Sequence, residues 1–294
     1  MKFTHIIDAI GNTPLVPLKK LFPHQNVWAK LEGQNPGGSV KDRTAKYMIL
    51  QAIKRGELPK QKIILEATSG NMGISLSMIG TSLGFRVQII MSEGVSMERR
   101  QILKAMGAEL ILTKKELGTL GAVQLAKTMV QKSPQKYWFA NQFENFDNIR
   151  AHEKEIAPEI FSEISPDIII GGIGTSGTMS GIARFTKKNF PRTKIYGVVP
   201  PAGFRVQGIQ NPYQDFFPKI FQKKGFDNIF SVSEEESITF LKKLAQKEGI
   251  FAGMSSGAVL SGIKRIPFSQ KKKNIVVILP DRGEKYLSTG LFNS

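Results

Sequence analysis

Short runs of Ile, Val and Leu alternate along this chain with longer stretches of helical periodicity, and small or turn-forming residues mark most of the changeovers. That rhythm restricts the fold more than any other feature. The apolar runs are continuous rather than alternating, so both faces of each strand should be covered, as in parallel sheets. The pattern predicts strands over 62–66, 87–91, 109–112, 167–171, 194–199 and 274–279, and helices over 73–83, 97–106, 119–131, 149–164, 179–189, 234–248 and 257–266. Strands alternating with helices in this way specify an α/β fold with mainly parallel sheets flanked by helices. The 294-residue length accommodates two such domains. Punctuation agrees with the pattern. Ser96 is an expected N-cap, Ser233 and Glu236 form a capping box, and Gly84, Gly107 and Gly249 are expected to close helices in the left-handed conformation. The polar stretch 141–148 is the expected domain seam.

Composition removes several kinds of chemistry. The chain has no cysteine, which excludes disulfides, thiolate metal sites and a cysteine nucleophile. His5, His24 and His152 are far apart, so no zinc site is expected. The formal charge of +17 raises the question of nucleic acid. Yet the basic residues are spread along the chain in pairs such as Lys114-Lys115 and Lys242-Lys243, and thirty of the 41 are lysine. A solvated lysine surface is the expectation, with no specific nucleic-acid partner. Met1-Lys2-Phe3-Thr4-His5 has no apolar signal core, and no segment approaches the ~20 apolar residues that cross a bilayer. The chain is therefore expected to be cytoplasmic, with no membrane association.

The unusual residues fall in three turns where strands or loops open into helices, which is where ligands bind in parallel sheets. Gly172-Ile173-Gly174-Thr175-Ser176-Gly177 spells GxGxxG. A dinucleotide site would also need an acidic residue about 20 positions on to hold the ribose. No Asp or Glu occurs from Ile168 to Gln214. A phosphate cup of Gly174, Thr175, Ser176, Gly177 and Thr178 is the preferred reading, ahead of a dinucleotide site or a plain tight turn. The second turn, Glu66-Ala67-Thr68-Ser69-Gly70-Asn71-Met72-Gly73, offers hydroxyls and helix N-terminal N–H groups to a carboxylate; an N-capping cluster is the alternative. The third, Asn35–Arg43, begins a helix with Lys41 in its first turn. A cation there opposes the helix dipole, and the same field lowers the amine pKa, as a Schiff-base lysine requires. An amine, a phosphate cup and a carboxylate loop together point to pyridoxal 5′-phosphate (PLP) and amino-acid substrates.

The motifs resemble those of the O-acetylserine sulfhydrylase (cysteine synthase) family, of PLP fold type II and tryptophan synthase β-like. The matching runs are Ile10–Leu15, Asn35–Arg43, Glu66–Gly73, Asn141-Gln142-Phe143, Gly174–Thr178, Gly253–Gly257 and Lys285–Phe292. Glu66-Ala67-Thr68 and Asp281-Arg282-Gly283 look most like the B isozyme. The resemblance implies a smaller mobile α/β domain over 42–142 and a larger PLP-phosphate-binding domain over 1–41 and 143–294. It implies Lys41 as the PLP-bound lysine that also moves the Cα proton, Asn71 beside the PLP 3′-oxygen, residues 174–178 on the phosphate, and Ser255 facing the pyridine nitrogen. Thr68, Ser69, Gly70, Met72 and Gln142 would bind the substrate carboxylate, with Gly208 beside the amine.

The implied reaction is β-replacement, making L-cysteine from O-acetyl-L-serine and sulfide through an α-aminoacrylate intermediate. Closure of the small domain over the substrate would exclude water. The resemblance also implies a homodimer and leaves docking of a serine acetyltransferase open. Met72 departs from the family's usual threonine and removes one hydroxyl donor. Cystathionine β-synthase-like or O-phosphoserine sulfhydrylase activity, the latter selected by a cation such as Arg205 near Gly208, is the alternative within the family. A non-catalytic polyanion-binding protein is the alternative outside it.

Overall fold

The computed structural model describes residues 3–95, 97–204, 206–211, 218–267, 272–289 and 291; Ser96, Arg205 and Phe292 lie outside them. In chain order the elements are β1 (Leu15–Pro17), β2 (Asn26–Leu31), α1 (Lys41–Lys54), β3 (Ile63–Ala67), α2 (Asn71–Ser82), β4 (Val87–Ser92), α3 (Met97–Ala105), β5 (Glu109–Thr113), α4 (Gly118–Lys132) and β6 (Tyr137–Phe139). There follow α5 (Asp147–Lys154), α6 (Ile156–Glu163), β7 (Ile168–Gly172), α7 (Gly177–Asn189), β8 (Lys194–Val199), β9 (Asn228–Ser231), α8 (Glu234–Glu248), α9 (Met254–Gly262) and β10 (Asn274–Leu279). The chain divides into two compact units, one of residues 1–10 and 41–148, the other of 11–40 and 149–294.

The smaller unit is built on a four-stranded parallel sheet, β5-β4-β3-β6. The central strand β3 is buried along its whole length. Its side chains alternate between two apolar layers, because successive strand residues point to opposite faces. Ile64 packs with Met48 and Ile49 of α1 and Ile79 of α2. Ile63 and Leu65 pack with Ala122 and Ala126 of α4. Residues 1–10 and 143–148, read from the sequence as part of the larger domain, cluster with this unit. Ile7 and Ile10 join the α1–α2 layer, and the Lys46 ammonium donates to the Ile10 carbonyl at 3.3 Å.

The larger unit carries a six-stranded sheet in the order β1-β2-β10-β7-β8-β9, parallel except for the β1–β2 pair. Its faces are likewise covered by two layers. Ile168, Ile170, Ile275 and Val277 meet residues of α8 and α9, whereas Ile169, Val276 and Ile278 meet residues of α6 and α7. The six expected strands are present, joined by β1, β2, β6 and β9. The capping box of Ser233 and Glu236 is formed, and Gly249 closes α8 at φ +68°. Gly84 and Gly107 also have positive φ, at +77° and +81°.

The helix expected over 149–164 is two helices, with Glu155 between them. Pro158 accounts for the break: it lacks the N–H that would bond the Lys154 carbonyl, and its ring would clash there, but it fits the first turn of a new helix. Among the described residues no helix is long and apolar enough to cross a membrane, and no group of histidine, cysteine and acidic side chains could hold a metal ion.

Helices α8 and α9 approach closely through Gly257, where a β-carbon would lie 2.0 Å from the Ser237 carbonyl oxygen. Backbone on both sides leaves little room to yield. Gly257→Ala should destabilise the fold by about 2–3 kcal/mol, read as a lower urea midpoint with the slope unchanged.

Candidate active site

In the larger unit, β7 leads through the 172–176 turn into α7. Gly174 passes so close to the 206–209 turn that a β-carbon on it would sit 2.9 Å from the Gly208 carbonyl oxygen. Ser176 takes the left-handed conformation, φ +71°, at the N-cap of α7 and makes no side-chain capping bond. The first turn of α7 also has no acidic residue. Helix α8 is the contrast, with a capping box and three glutamates in its first turn. The hydroxyls around the α7 start are held in place: Ser176 Oγ lies 2.7 Å from Ser180 Oγ, and Thr178 Oγ1 lies 3.2 Å from Nε2 of buried His152. Thr175 Oγ1 accepts the Gly177 N–H at 3.4 Å, and the positive dipole end with the hydroxyls of Thr175, Ser176 and Thr178 forms a cradle suited to a phosphate dianion.

Ser255 is buried in the first turn of α9, which also has neither a side-chain cap nor an acidic residue in that turn. A β-carbon on Gly208, itself at φ +93°, would lie 3.4 Å from the Ser255 hydroxyl, so these two expected site residues are neighbours. The chain segment after β10 braces this region. Gly253 N–H donates to the Asp281 carbonyl at 3.0 Å, and Tyr286 OH donates to the Asp281 carboxylate at 2.7 Å.

The same C-terminal segment fixes the loop that precedes Lys41. Arg282 donates to the Gly33 carbonyl at 2.6 Å, Lys285 to the Gly37 carbonyl at 3.0 Å, and Val40 N–H to the Pro280 carbonyl at 2.8 Å. Beneath the loop, buried Asn35 donates to the Glu32 carbonyl at 2.8 Å and its carboxylate at 3.0 Å, while its own Oδ1 accepts from Gly11 N–H. Thr13 donates to Glu32 at 2.6 Å, and fully buried Lys30 bridges the Thr13 carbonyl and Glu159. Each of these donors has an acceptor in place, which ties down a loop where the sequence shows only small and polar residues.

In the smaller unit Lys41 is the first residue of α1, followed by Asp42 in the same turn. Asp42 accepts from Ser75 Oγ of α2 at 2.5 Å, and Ser75 Oγ also lies 3.0 Å from the Asn71 carbonyl. Helix α2 starts at Asn71 without a side-chain cap or an acidic residue in its first turn. Thr68 Oγ1 accepts from Gly70 N–H at 3.2 Å, which curls the turn back on itself. The Arg99 guanidinium donates to the Ser69 carbonyl at 3.0 Å, holding that turn from α3. Met72 faces the other way: its side chain is 1% exposed and lies in the apolar layer of α1 and α2, so only its backbone faces the turn.

Gln142, 4% exposed, follows β6 and is tied to both neighbours of the turn. Its N–H donates to Glu66 at 3.3 Å, and its carbonyl accepts from Asn148 at 2.8 Å; Asn148 in turn accepts from Thr44 of α1 at 3.4 Å. Burial pushes the Glu66 carboxyl up to about 8, against the pull of the Gln142, Ala67 and Asn141 N–H groups. Thr68, Ser69, Gly70 and Asn71 thus share one turn, Gln142 is bonded to Glu66 of the strand that leads into it, and Gly174–Thr178, Gly208 and Ser255 are gathered in the larger unit. The roles of Glu66, Arg99, Asn148 and Thr44 went unread in the sequence. The acidic residue preceding the hydroxyl turn was visible there, but its burial was not.

An α/β enzyme with anion-binding helix starts and a lysine opening α1 is the class that fold and site define. Residues 6–281 match the profile described as pyridoxal-phosphate dependent enzyme. Cysteine synthase B of Salmonella typhimurium is 41% identical over 289 residues, 97% of this chain and 95% of that protein. The crystal structure of O-acetylserine sulfhydrylase isoform 3 of Entamoeba histolytica superposes with a TM-score of 0.93 at 37% identity, covering 100% of this chain and 92% of that one. That of an O-acetylserine-dependent cystathionine β-synthase of Helicobacter pylori gives 0.87 at 34% identity, over 99% of each chain. The chain belongs to the pyridoxal-phosphate dependent enzyme family, and PLP is its cofactor. The residues present fit that group: the α7 cradle suits its phosphate, and the buried Ser255 hydroxyl suits a ring nitrogen.

The perturbed Glu66 makes stability depend on pH with a definite sign. Its native carboxyl keeps a proton that the unfolded chain releases, so stability contributed below about pH 4.5 is lost as pH rises towards 8. Relative to Glu66→Gln, the unmodified protein should lose up to about 1.4 kcal/mol per pH unit across that window. Urea midpoints measured for both proteins through the window check the slope.

Proposed function

We propose that this protein makes L-cysteine from O-acetyl-L-serine and sulfide by β-replacement. The observation that carries the reading is its near full-length kinship with cysteine synthase B. Lysine, hydroxyl turn and glycine turn all stand at their motif positions. Bound PLP supplies an electron sink that weakens the bonds at the substrate Cα and lets the β-substituent depart.

Lys41 Nζ would hold the cofactor, and its amine would take the proton from the substrate Cα and return it to Cα after sulfide has added at Cβ. Thr68, Ser69, Gly70, Gln142 and the Met72 N–H form the site for the substrate carboxylate, and Gly208 lies beside the amine. Asn71 holds the cofactor's 3′-oxygen, and Gly174, Thr175, Ser176, Gly177 and Thr178 hold its phosphate. Ser255 meets the pyridine nitrogen with a neutral hydroxyl and leaves the ring a mild sink, which favours β-elimination over deeper rearrangement. Acetate leaves with the electron pair of its Cβ–O bond, and sulfide supplies the pair for the new Cβ–S bond.

Because the Met72 side chain packs in the apolar layer, the carboxylate receives one hydroxyl donor fewer than a threonine would give. A hydrogen bond to a charged group contributes about 1.5–3 kcal/mol. Met72 is therefore a determinant of substrate affinity through what it withholds. The working form is proposed to be a cytoplasmic homodimer, as in the family that the motifs resemble.

Purified protein should be yellow, and Lys41→Ala should abolish both the visible absorbance and cysteine formation; a colourless unmodified protein that resists PLP loading overturns the reading. An activity panel then fixes the substrates. O-acetylserine with sulfide should outpace serine with homocysteine and phosphoserine with sulfide by at least about tenfold, a difference of about 1.4 kcal/mol in transition-state stabilisation. The likeness to the cystathionine β-synthase of Helicobacter pylori makes the second pair the informative control.

A further inference from the structure

Glu66 is a fully buried carboxyl near the C-terminal end of β3, two residues before Thr68, and the proposed chemistry gives it no task. It shares the face of β3 that carries Ile64, towards α1 and α2. One oxygen accepts the Gln142 N–H at 3.3 Å, and the other has no hydrogen-bond partner. Through Gln142 the contact continues to Asn148 and Thr44 of α1. Gln142, one part of the proposed carboxylate site, therefore rests on this acid, and the strand that carries the acid leads directly into the other part, the Thr68–Met72 turn.

The surroundings offer it no dedicated cation. The residue opposite it on β4 is Ile89, and β6 and α2 carry no charged side chain. On α1 the nearby charged residues are Lys41, Asp42 and Arg43, and Asp42 is engaged with Ser75. In the loop after β6, Glu144 pairs with Lys127 at 2.8 Å, and Asp147 pairs with Arg55 at 2.7 Å. Arg99 of α3 is spent on the Ser69 carbonyl.

We propose that Glu66 is the positioning residue of the carboxylate site and works as a neutral acid, so that substrate binds the form of the enzyme in which Glu66 keeps its proton. This rests on the reading of Thr68–Met72 and Gln142 as the carboxylate site. An ionised Glu66 would stand one hydrogen bond behind the substrate carboxylate, and two like charges at such range exclude one another. Burial already holds the proton to about pH 8, and an arriving carboxylate must hold it more firmly still. By linkage the two effects are one: binding above that pH draws a proton onto Glu66, and loss of the proton weakens binding by the same factor.

The test uses the holoenzyme and its Glu66→Gln variant, which keeps the shape and the neutral state. The ratio of KM for O-acetylserine, unmodified over variant, should be constant below about pH 7.5 and rise towards tenfold per unit above about pH 8, with the kcat ratio nearly level. A KM ratio that does not change with pH overturns the proposal. Calorimetry of L-cysteine binding at about pH 8.5, in two buffers of different protonation enthalpy, gives the proton count.

After correction for the amine and thiol ionisation of each free ligand, titrated separately, the unmodified enzyme should take up more protons with L-cysteine than with L-cysteine methyl ester. This comparison needs no variant and decides the matter if Glu66→Gln does not fold. Equal uptake for the two ligands, with cysteine still bound far more tightly than the ester, overturns the role of Glu66 alone. Equal affinity for cysteine and its ester at about pH 7 overturns the carboxylate site itself, and the Glu66 proposal with it.

Discussion

Backbone N–H groups at the first turn of a helix have no partner within the helix, and a protein must satisfy them or present them to something else. The starts of α2, α7 and α9 have neither a side-chain cap from their N-cap residue nor an acid, and that of α4 is equally bare. Helix α8, whose first turn has no assigned part in the chemistry, has a full capping box and three glutamates. An omitted cap costs about 0.5–2 kcal/mol of helix stability, so three omissions at the motif-bearing turns are a substantial local sacrifice. A bound anion restores the missing partners. At α2 and α7 the proposed substrate carboxylate and cofactor phosphate would be those partners.

Such open turns hold their shape only if the chain around them is fixed from behind. In the larger unit that support comes from the segment after β10, where Asp281, Arg282 and Lys285 bind the 33–40 loop and the start of α9. Buried Lys30, Glu32 and Asn35 complete the brace with paired charges and directed hydrogen bonds. In the smaller unit Glu66, Gln142, Asn148 and Thr44 serve the same purpose, with Arg99 fastening the turn from α3. Polar side chains are buried here because each meets a partner, which makes the geometry specific rather than merely stable.

What the sequence revealed follows the same division. Strands with continuous apolar runs were readable because both faces are buried, and the signal survives without tertiary context. Strands β1, β6 and β9 are edge strands of three or four residues, too short to carry a pattern. In β2 the apolar run is interrupted by Lys30, whose burial depends on Glu159, distant in sequence. The split at Glu155 was legible in principle from Pro158, but the periodicity of α5 and α6 together outweighed one residue. The motif turns were visible because glycine and hydroxyl residues are rare in such clusters. Their supports were not, since hydrogen bonds such as Arg99 to Ser69 or Asn148 to Gln142 leave no local trace.

Met72 and Glu66 show why a motif has to be read together with its depth. Both belong to the same eight-residue run; the family resemblance puts Met72 on the substrate carboxylate and assigns Glu66 no role. Met72 instead faces the apolar layer, so the departure from threonine exchanges a donor for core packing. Glu66 is fully buried in the strand below the turn, where desolvation favours the neutral carboxyl. In the proposed carboxylate site a neutral acid would tolerate a second carboxylate, whereas an ionised glutamate at the surface of the turn would repel it. The sheet that buries Glu66 is the one that β3 and β6 help to build.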